Sequence, residues 1–66
     1  MFKEDFYDKI ILLVYDGPNT INKVEYLIAN ITYSGDYLIV NKFNKEDSSI
    51  ESTPYHLKDI VKYKVY

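Results

Sequence analysis

The stretch from Val24 to Phe43 constrains this chain more than any other. Two runs rich in β-branched and aromatic residues, Val24–Tyr33 and Tyr37–Phe43, flank the short turn-forming sequence Ser34-Gly35-Asp36. That pattern predicts one long β-hairpin. Alternation then sorts its side chains onto two faces. One face carries Leu27, Ala29, Ile31 and Tyr33, continued across the turn by Leu38 and Val40. The other carries Val24, Tyr26, Ile28, Asn30 and Thr32, continued by Tyr37, Ile39, Asn41 and Phe43. The first face reads as core. The second is too apolar to lie fully in water, so it calls for a cover: an N-terminal helix, the closing of a barrel, or a second copy of the chain.

The flanking segments extend the β reading. Ile10 to Tyr15 is continuously apolar, as in a strand buried on both sides. It ends at Asp16-Gly17-Pro18-Asn19-Thr20, a loop by residue type. Before it, Phe2, Phe6 and Ile10 recur at helical spacing, which predicts a short helix over Met1 to Lys9. After the hairpin, Asn44 to Ser49 is a polar loop and Ile50 to Thr53 a short edge strand interrupted by Pro54. Tyr55 to Asp59 reads as a single helical turn. Val61, Tyr63 and Val65 then alternate with Lys62 and Lys64, placing the apolar residues inward and the lysines outward.

With 66 residues the chain accommodates one domain, residues 1–66, and one small core. A chain of this size buries only about 60% of the surface its unfolded form exposes, so it depends on good packing or on association. Cysteine is absent, which removes disulfides and thiolate metal sites, and a single histidine, His56, cannot build a histidine-rich site. No metal or other cofactor is expected. Eight tyrosines and three phenylalanines supply large, half-polar surfaces suited to strands and to interfaces.

The charge balance narrows the partners. Ten acidic residues outnumber eight lysines, and there is no arginine. Arginine is the preferred fork for phosphate and guanine, so specific nucleic-acid recognition is not expected. No apolar run approaches the ~20 residues of a membrane span, and Lys3-Glu4-Asp5 is not the basic start of a signal peptide. The expectation is a cytoplasmic protein. Ile, Asn, Lys and Tyr make up 29 of the 66 residues, a bias typical of AT-rich coding sequences such as those of low-GC bacteria and their phages.

The order of elements is helix, strand, turn-rich loop, long hairpin, short strand, one helical turn and last strand, with Pro54-Tyr55-His56-Leu57-Lys58-Asp59-Ile60 leading into Val61 to Val65. It resembles small SH3-like and Sm-like β-barrels, which place a single 3₁₀ turn before the final strand. The resemblance implies a mainly β fold, a small antiparallel barrel. The alternative is an open antiparallel sheet packed on the N-terminal helix and dimerised through the sheet. The Asn and Arg-Gly signatures by which Sm proteins hold RNA are not evident, so RNA binding does not carry over.

Catalytic chemistry finds little footing. There is no Gly-rich phosphate loop, nucleophile elbow or metal-spaced cluster. Asp16 and Asp36 stand at turn positions where aspartate is favoured for local hydrogen bonding. The expectation is therefore a non-enzymatic binding protein, a homo-oligomer that contacts another protein directly. Its specific form is a phage or mobile-element product that inhibits a host defence protein. One alternative is a sponge that holds a nucleotide-like molecule between protomers in a cleft lined by Tyr and Lys. Another is a minor nucleic-acid-binding barrel using a stripe of Lys58, Lys62 and Lys64 beside Tyr55 and Tyr66. The residues expected at the interaction surface are Tyr26, Ile28, Tyr37, Ile39, Phe43, Tyr55, Lys62 and Tyr66.

Overall fold

The structure, a computed structural model, describes residues 6–66. Five strands form one antiparallel sheet: β1 (Tyr7–Tyr15), β2 (Ile21–Ser34), β3 (Tyr37–Asn44), β4 (Ser49–His56) and β5 (Ile60–Val65). Their order across the sheet is β4-β3-β2-β1-β5. The long hairpin is present as expected. Ser34 faces Tyr37 in register, leaving Gly35 and Asp36 as its two-residue turn, and Gly35 takes the positive φ of 60° that such a turn favours.

The core lies on one side of the sheet, its concave side, since a single layer buries side chains fully only by curling around them. Ile10, Leu12, Ala29, Leu38 and Val40 are fully buried there. Val14, Tyr26, Ile31, Tyr55, Ile60 and Val65 pack around them. Two tyrosine pairs tie distant strands across this curl. The hydroxyls of Tyr26 on β2 and Tyr55 on β4 share a hydrogen bond in a half-buried setting. Those of Tyr33 and Tyr63 do the same at 2.6 Å in an exposed one.

Several expectations need correcting. β4 and β5 are the two edges of the sheet and do not pair, so the barrel is not closed by backbone hydrogen bonds. Tyr7 to Lys9 belong to β1 instead of to a helix. The rest of the expected helix, apart from Phe6, lies outside the described residues. β4 is longer than Ile50 to Thr53 and runs through Pro54, which an edge strand tolerates because one of its sides has no ladder to supply. The helical turn is confined to Leu57–Asp59. Its first amide, Leu57 N–H, donates to the Asp36 carbonyl at 2.9 Å and so anchors the turn to the tip of the long hairpin.

The largest correction concerns the faces of β2. Ile28 has a φ of 54°, rare for a β-branched residue, and there the alternation slips by one position. Val24 and Tyr26 lie opposite the buried Leu12 and Ile10, so they face the interior. Beyond the slip, Ala29 and Ile31 face it as well. Leu27, assigned to the core by strict alternation, is 61% exposed on the convex side. A second irregularity lies between β1 and β5, where Leu13 pairs with Lys62 but Val14 pairs with Ile60. Val61 is the extra residue and is exposed, and Ile60 takes the inward place expected for it. Val65 faces inward as expected, opposite Ile10, whereas Tyr63, opposite Leu12, remains 40% exposed.

Candidate functional site

On the convex side of β5, β1 and the first half of β2, cross-strand registration arranges side chains in rows. One row is Lys23, Leu13 and Lys62, and the next is Glu25, Ile11 and Lys64. A third holds Leu27 and Lys9, and the Tyr66 amide donates to the Lys9 carbonyl at 2.9 Å beside them. The rows are two residues apart along the strands, roughly 7 Å. The floor of this surface is apolar because β1 is apolar on both faces. Its inward face is Ile10 and Leu12, and its outward face is Ile11 and Leu13.

A half-open groove of about 360 Å³ follows these rows, lined by Ile11, Leu13, Lys23, Lys62, Tyr63, Lys64 and Tyr66. Lys23 and Lys62 flank Leu13 in register, and lysine stems beside such aliphatic side chains suit an apolar floor with a charged rim. Lys9 extends the positive rim, with its Nζ 5.1 Å from the centre of the Tyr66 ring, and Lys64 Nζ lies 5.2 Å from the same ring. These are cation–π distances. Of the carboxylates registered on these three strands, Glu25 stands in the rows, with Oε2 3.9 Å from Lys9 Nζ. A protein of net charge −2 thus gathers four of its eight lysines on one face.

The convex side of the other half of the sheet is different in kind. Asn41 Nδ2 donates to Asn30 Oδ1 and to Thr32 Oγ1, each at 2.9 Å, and Ser52 Oγ donates to Asn41 Oδ1 at 2.7 Å. This ladder spans β2, β3 and β4. Beside it, Ile39 and Phe43 are half-buried, and the Phe6 ring stands 5.8 Å from that of Phe43. Tyr37 meets His56 edge-on at 5.1 Å.

The eight expected surface residues therefore separate into groups. Lys62 and Tyr66 meet in the groove. Tyr26 and Tyr55 pack against the core and bond to each other. Ile28 is the kink residue. Tyr37, Ile39 and Phe43 lie on the other convex half, away from the lysines. The expected stripe is revised in the same way: Lys62 and Lys64 join Tyr66, but Lys58 sits in the 3₁₀ turn and Lys9 and Lys23 take its place. Sequence reasoning missed Lys9, Ile11, Leu13 and Lys23. The alternation Lys9, Ile11, Leu13 was the available signal, masked by the equally apolar Ile10 and Leu12 between them.

His56 Nδ1 accepts a hydrogen bond from the Lys58 amide at 3.2 Å, as the cap of the 3₁₀ turn. No group of three His, Cys, Asp or Glu side chains among the described residues is placed to hold a metal ion. No helix among them is long and apolar enough to cross a membrane. Comparison with protein families, curated proteins and solved structures finds no match to this chain.

Proposed function

We propose that the protein is a non-enzymatic binding protein that contacts another macromolecule through the lysine-rimmed groove on β5, β1 and β2. The fold in this reading is the SH3-like type of curled sheet, with each edge strand tied to β2 by a tyrosine pair instead of by a closed ladder. The observation that carries the proposal is the coincidence of an apolar floor, Ile11 and Leu13, with four lysines on a protein that is acidic as a whole. Clustered like charges repel one another, so they gain most when a partner supplies the opposite sign. The partner presents carboxylates or other anionic groups along a length matching the rows.

The groove's volume and its tyrosines favour a second reading, a nucleotide-like small molecule. About 360 Å³ lies at the lower end of small-molecule sites, roughly 300–1,000 Å³. Amide chemical-shift mapping separates the two, with oligoglutamate, a thymidine oligonucleotide and ATP as probes. On the macromolecular reading, a long polyanion shifts Ile11, Leu13, Lys62 and Lys64 together, salt reverses the shifts, and a Lys23→Glu/Lys64→Glu variant loses them. Saturable binding of ATP alone selects the small-molecule reading. Shifts confined to the Asn30, Asn41 and Ser52 face, or no shifts with any probe, refute both.

A further inference from the structure

We infer that the groove's partner is an acidic polypeptide segment that adds to the sheet as an extra strand along the free edge of β5. This rests on the lysine-rimmed face being the binding face and names the segment that docks at its β5 border, against Lys62 and Lys64. The edge is open among the described residues: β5 pairs there with β1 on one side and with no strand on the other. The Tyr66 amide points toward β1, where it donates to the Lys9 carbonyl. By alternation the amides of Lys64 and Lys62 point the same way, and those of Val65 and Tyr63 point outward to the empty edge. An incoming antiparallel strand finds donors and acceptors there at two-residue spacing, as in other cases of strand addition.

The same alternation sets the segment's sequence. Residues opposite Tyr63 and Val65 exchange backbone hydrogen bonds with them, and their side chains fall on the concave side, where apolar groups extend the core. Residues opposite Lys62 and Lys64 occupy non-hydrogen-bonded positions on the convex side, where facing side chains come closest. Carboxylates at those positions meet Lys62 and Lys64. The matching segment alternates acidic and apolar residues. Lysines along the edge disfavour pairing with a like-charged strand and favour an acidic one.

Three alternatives fit less well. Nucleic acid needs free aromatic faces to stack on, and the Tyr66 ring already lies beneath Lys9 and Lys64. The β4 edge is disqualified because Pro54 lacks an amide donor and Glu51 repels an acidic strand. A second copy offering its own β4 to β5 brings Glu51 as its one carboxylate, with Pro54 in the same strand.

The test uses an alternating Glu-Val peptide and two N-methylated forms of it. Methylating the valine nitrogens removes the donors that face β5, and methylating the glutamate nitrogens alters those that face away. The expected result is protection of the Tyr63 and Val65 amides from hydrogen exchange on binding. Affinity falls at least tenfold for the valine-methylated form, and within about twofold is kept by the glutamate-methylated form. Replacing glutamate by glutamine in the peptide weakens binding at least tenfold. Because the modifications are in the peptide, the protein's folding is untouched. Equal binding by both methylated forms overturns strand addition but leaves the groove as an anion-binding face. Tighter binding of a thymidine oligonucleotide of equal charge replaces the peptide with nucleic acid. A dimer that forms without peptide and protects the same amides replaces it with a second copy. Binding of no polyanion at all refutes the groove itself.

Discussion

The half-buried hydrogen bond between Tyr26 and Tyr55 joins residues 29 apart in sequence, on β2 and β4, across the concave side of the sheet. No backbone ladder connects those strands directly, because β3 lies between them. A double-mutant cycle with Tyr26→Phe and Tyr55→Phe isolates the bond. A neutral hydrogen bond contributes roughly 0.5–1.5 kcal/mol net, and each single variant leaves one hydroxyl without its partner. Each single variant should lose about 1 kcal/mol. The double variant should lose little more, giving a coupling near 1 kcal/mol. For 66 residues the unfolding entropy is about 0.14 kcal/mol/K at the midpoint, so 1 kcal/mol appears as a fall in Tm of about 7 °C. The exposed pair Tyr33 and Tyr63 is the control, and its coupling should be about 0.5 kcal/mol or less, because water replaces either partner. The cycle has an alkaline counterpart. Burial, and then the bond to Tyr26, raise the Tyr55 pKa above its ordinary value. The unfolded chain therefore gives up that proton first. The contribution is complete below about pH 10 and is lost as pH rises from there toward the folded value. Urea melts from pH 9 to 11 should show the loss, and Tyr55→Phe should flatten it. Coupling below about 0.2 kcal/mol for the half-buried pair would refute the reasoning, since each hydroxyl would then be satisfied by water alone.

Three further outcomes check the rest of the fold. Leu12→Ala, at a fully buried position, should cost about 2–5 kcal/mol of a total of roughly 3–10, whereas Leu27→Ala, on the convex side of the slip, should stay within about 0.5 in urea unfolding. Ile28→Gly should hold stability within about 1 kcal/mol of wild type, since relief of the positive φ offsets the lost side chain. Ile31→Gly, in regular strand, should lose about 2 kcal/mol or more by the same measurement. At the β3–β4 turn, hydrogen bonds from the Ser49 hydroxyl and amide lower the Asp47 pKa, so the turn is held above the ordinary carboxylate range and loosens as pH falls below about 4. The Ser49 amide resonance should report that transition, and Asp47→Asn should abolish it.

Strand existence was legible because each β run announces itself locally. Val24 to Phe43 has the residue types of a hairpin and a glycine where the turn needs it, and Leu57–Asp59 follows a proline-containing strand end as expected. Face assignment failed where alternation is broken. Nothing in Leu27-Ile28-Ala29 marks a left-handed residue, since Ile is among the least suited to one. The slip is imposed by tertiary structure: β2 must serve β1 with one half and β3 with the other while the sheet curls. Val61 is displaced for a related reason, because one strand must carry an extra residue where β5 leaves the 3₁₀ turn and meets β1. Lys62 and Tyr66 were picked from sequence and do lie in the groove. Lys9 and Lys23 were not picked, since only cross-strand registration shows that they share its face with Lys62 and Lys64.

The two faces of β1 place different demands on the same chain. The core on its concave side has only five fully buried residues among those described, so the outward Ile11 and Leu13 cannot be spared to enlarge it. They remain as an apolar stripe one strand away from an open edge, the arrangement most prone to self-association. Lys23, Lys62 and Lys64 line the same groove as that stripe, and their charges repel an identical face. On the proposed function, the groove's lysines serve solubility and partner choice together. The two roles separate by chemistry: neutralising Lys62 and Lys64 with glutamine removes the repulsion along with the attraction, and self-association should rise. Reversing them to glutamate removes only the attraction, so the chain should stay monodisperse and instead prefer a basic partner. A purely structural role for these lysines predicts equal behaviour of the two substitutions, and light scattering distinguishes them.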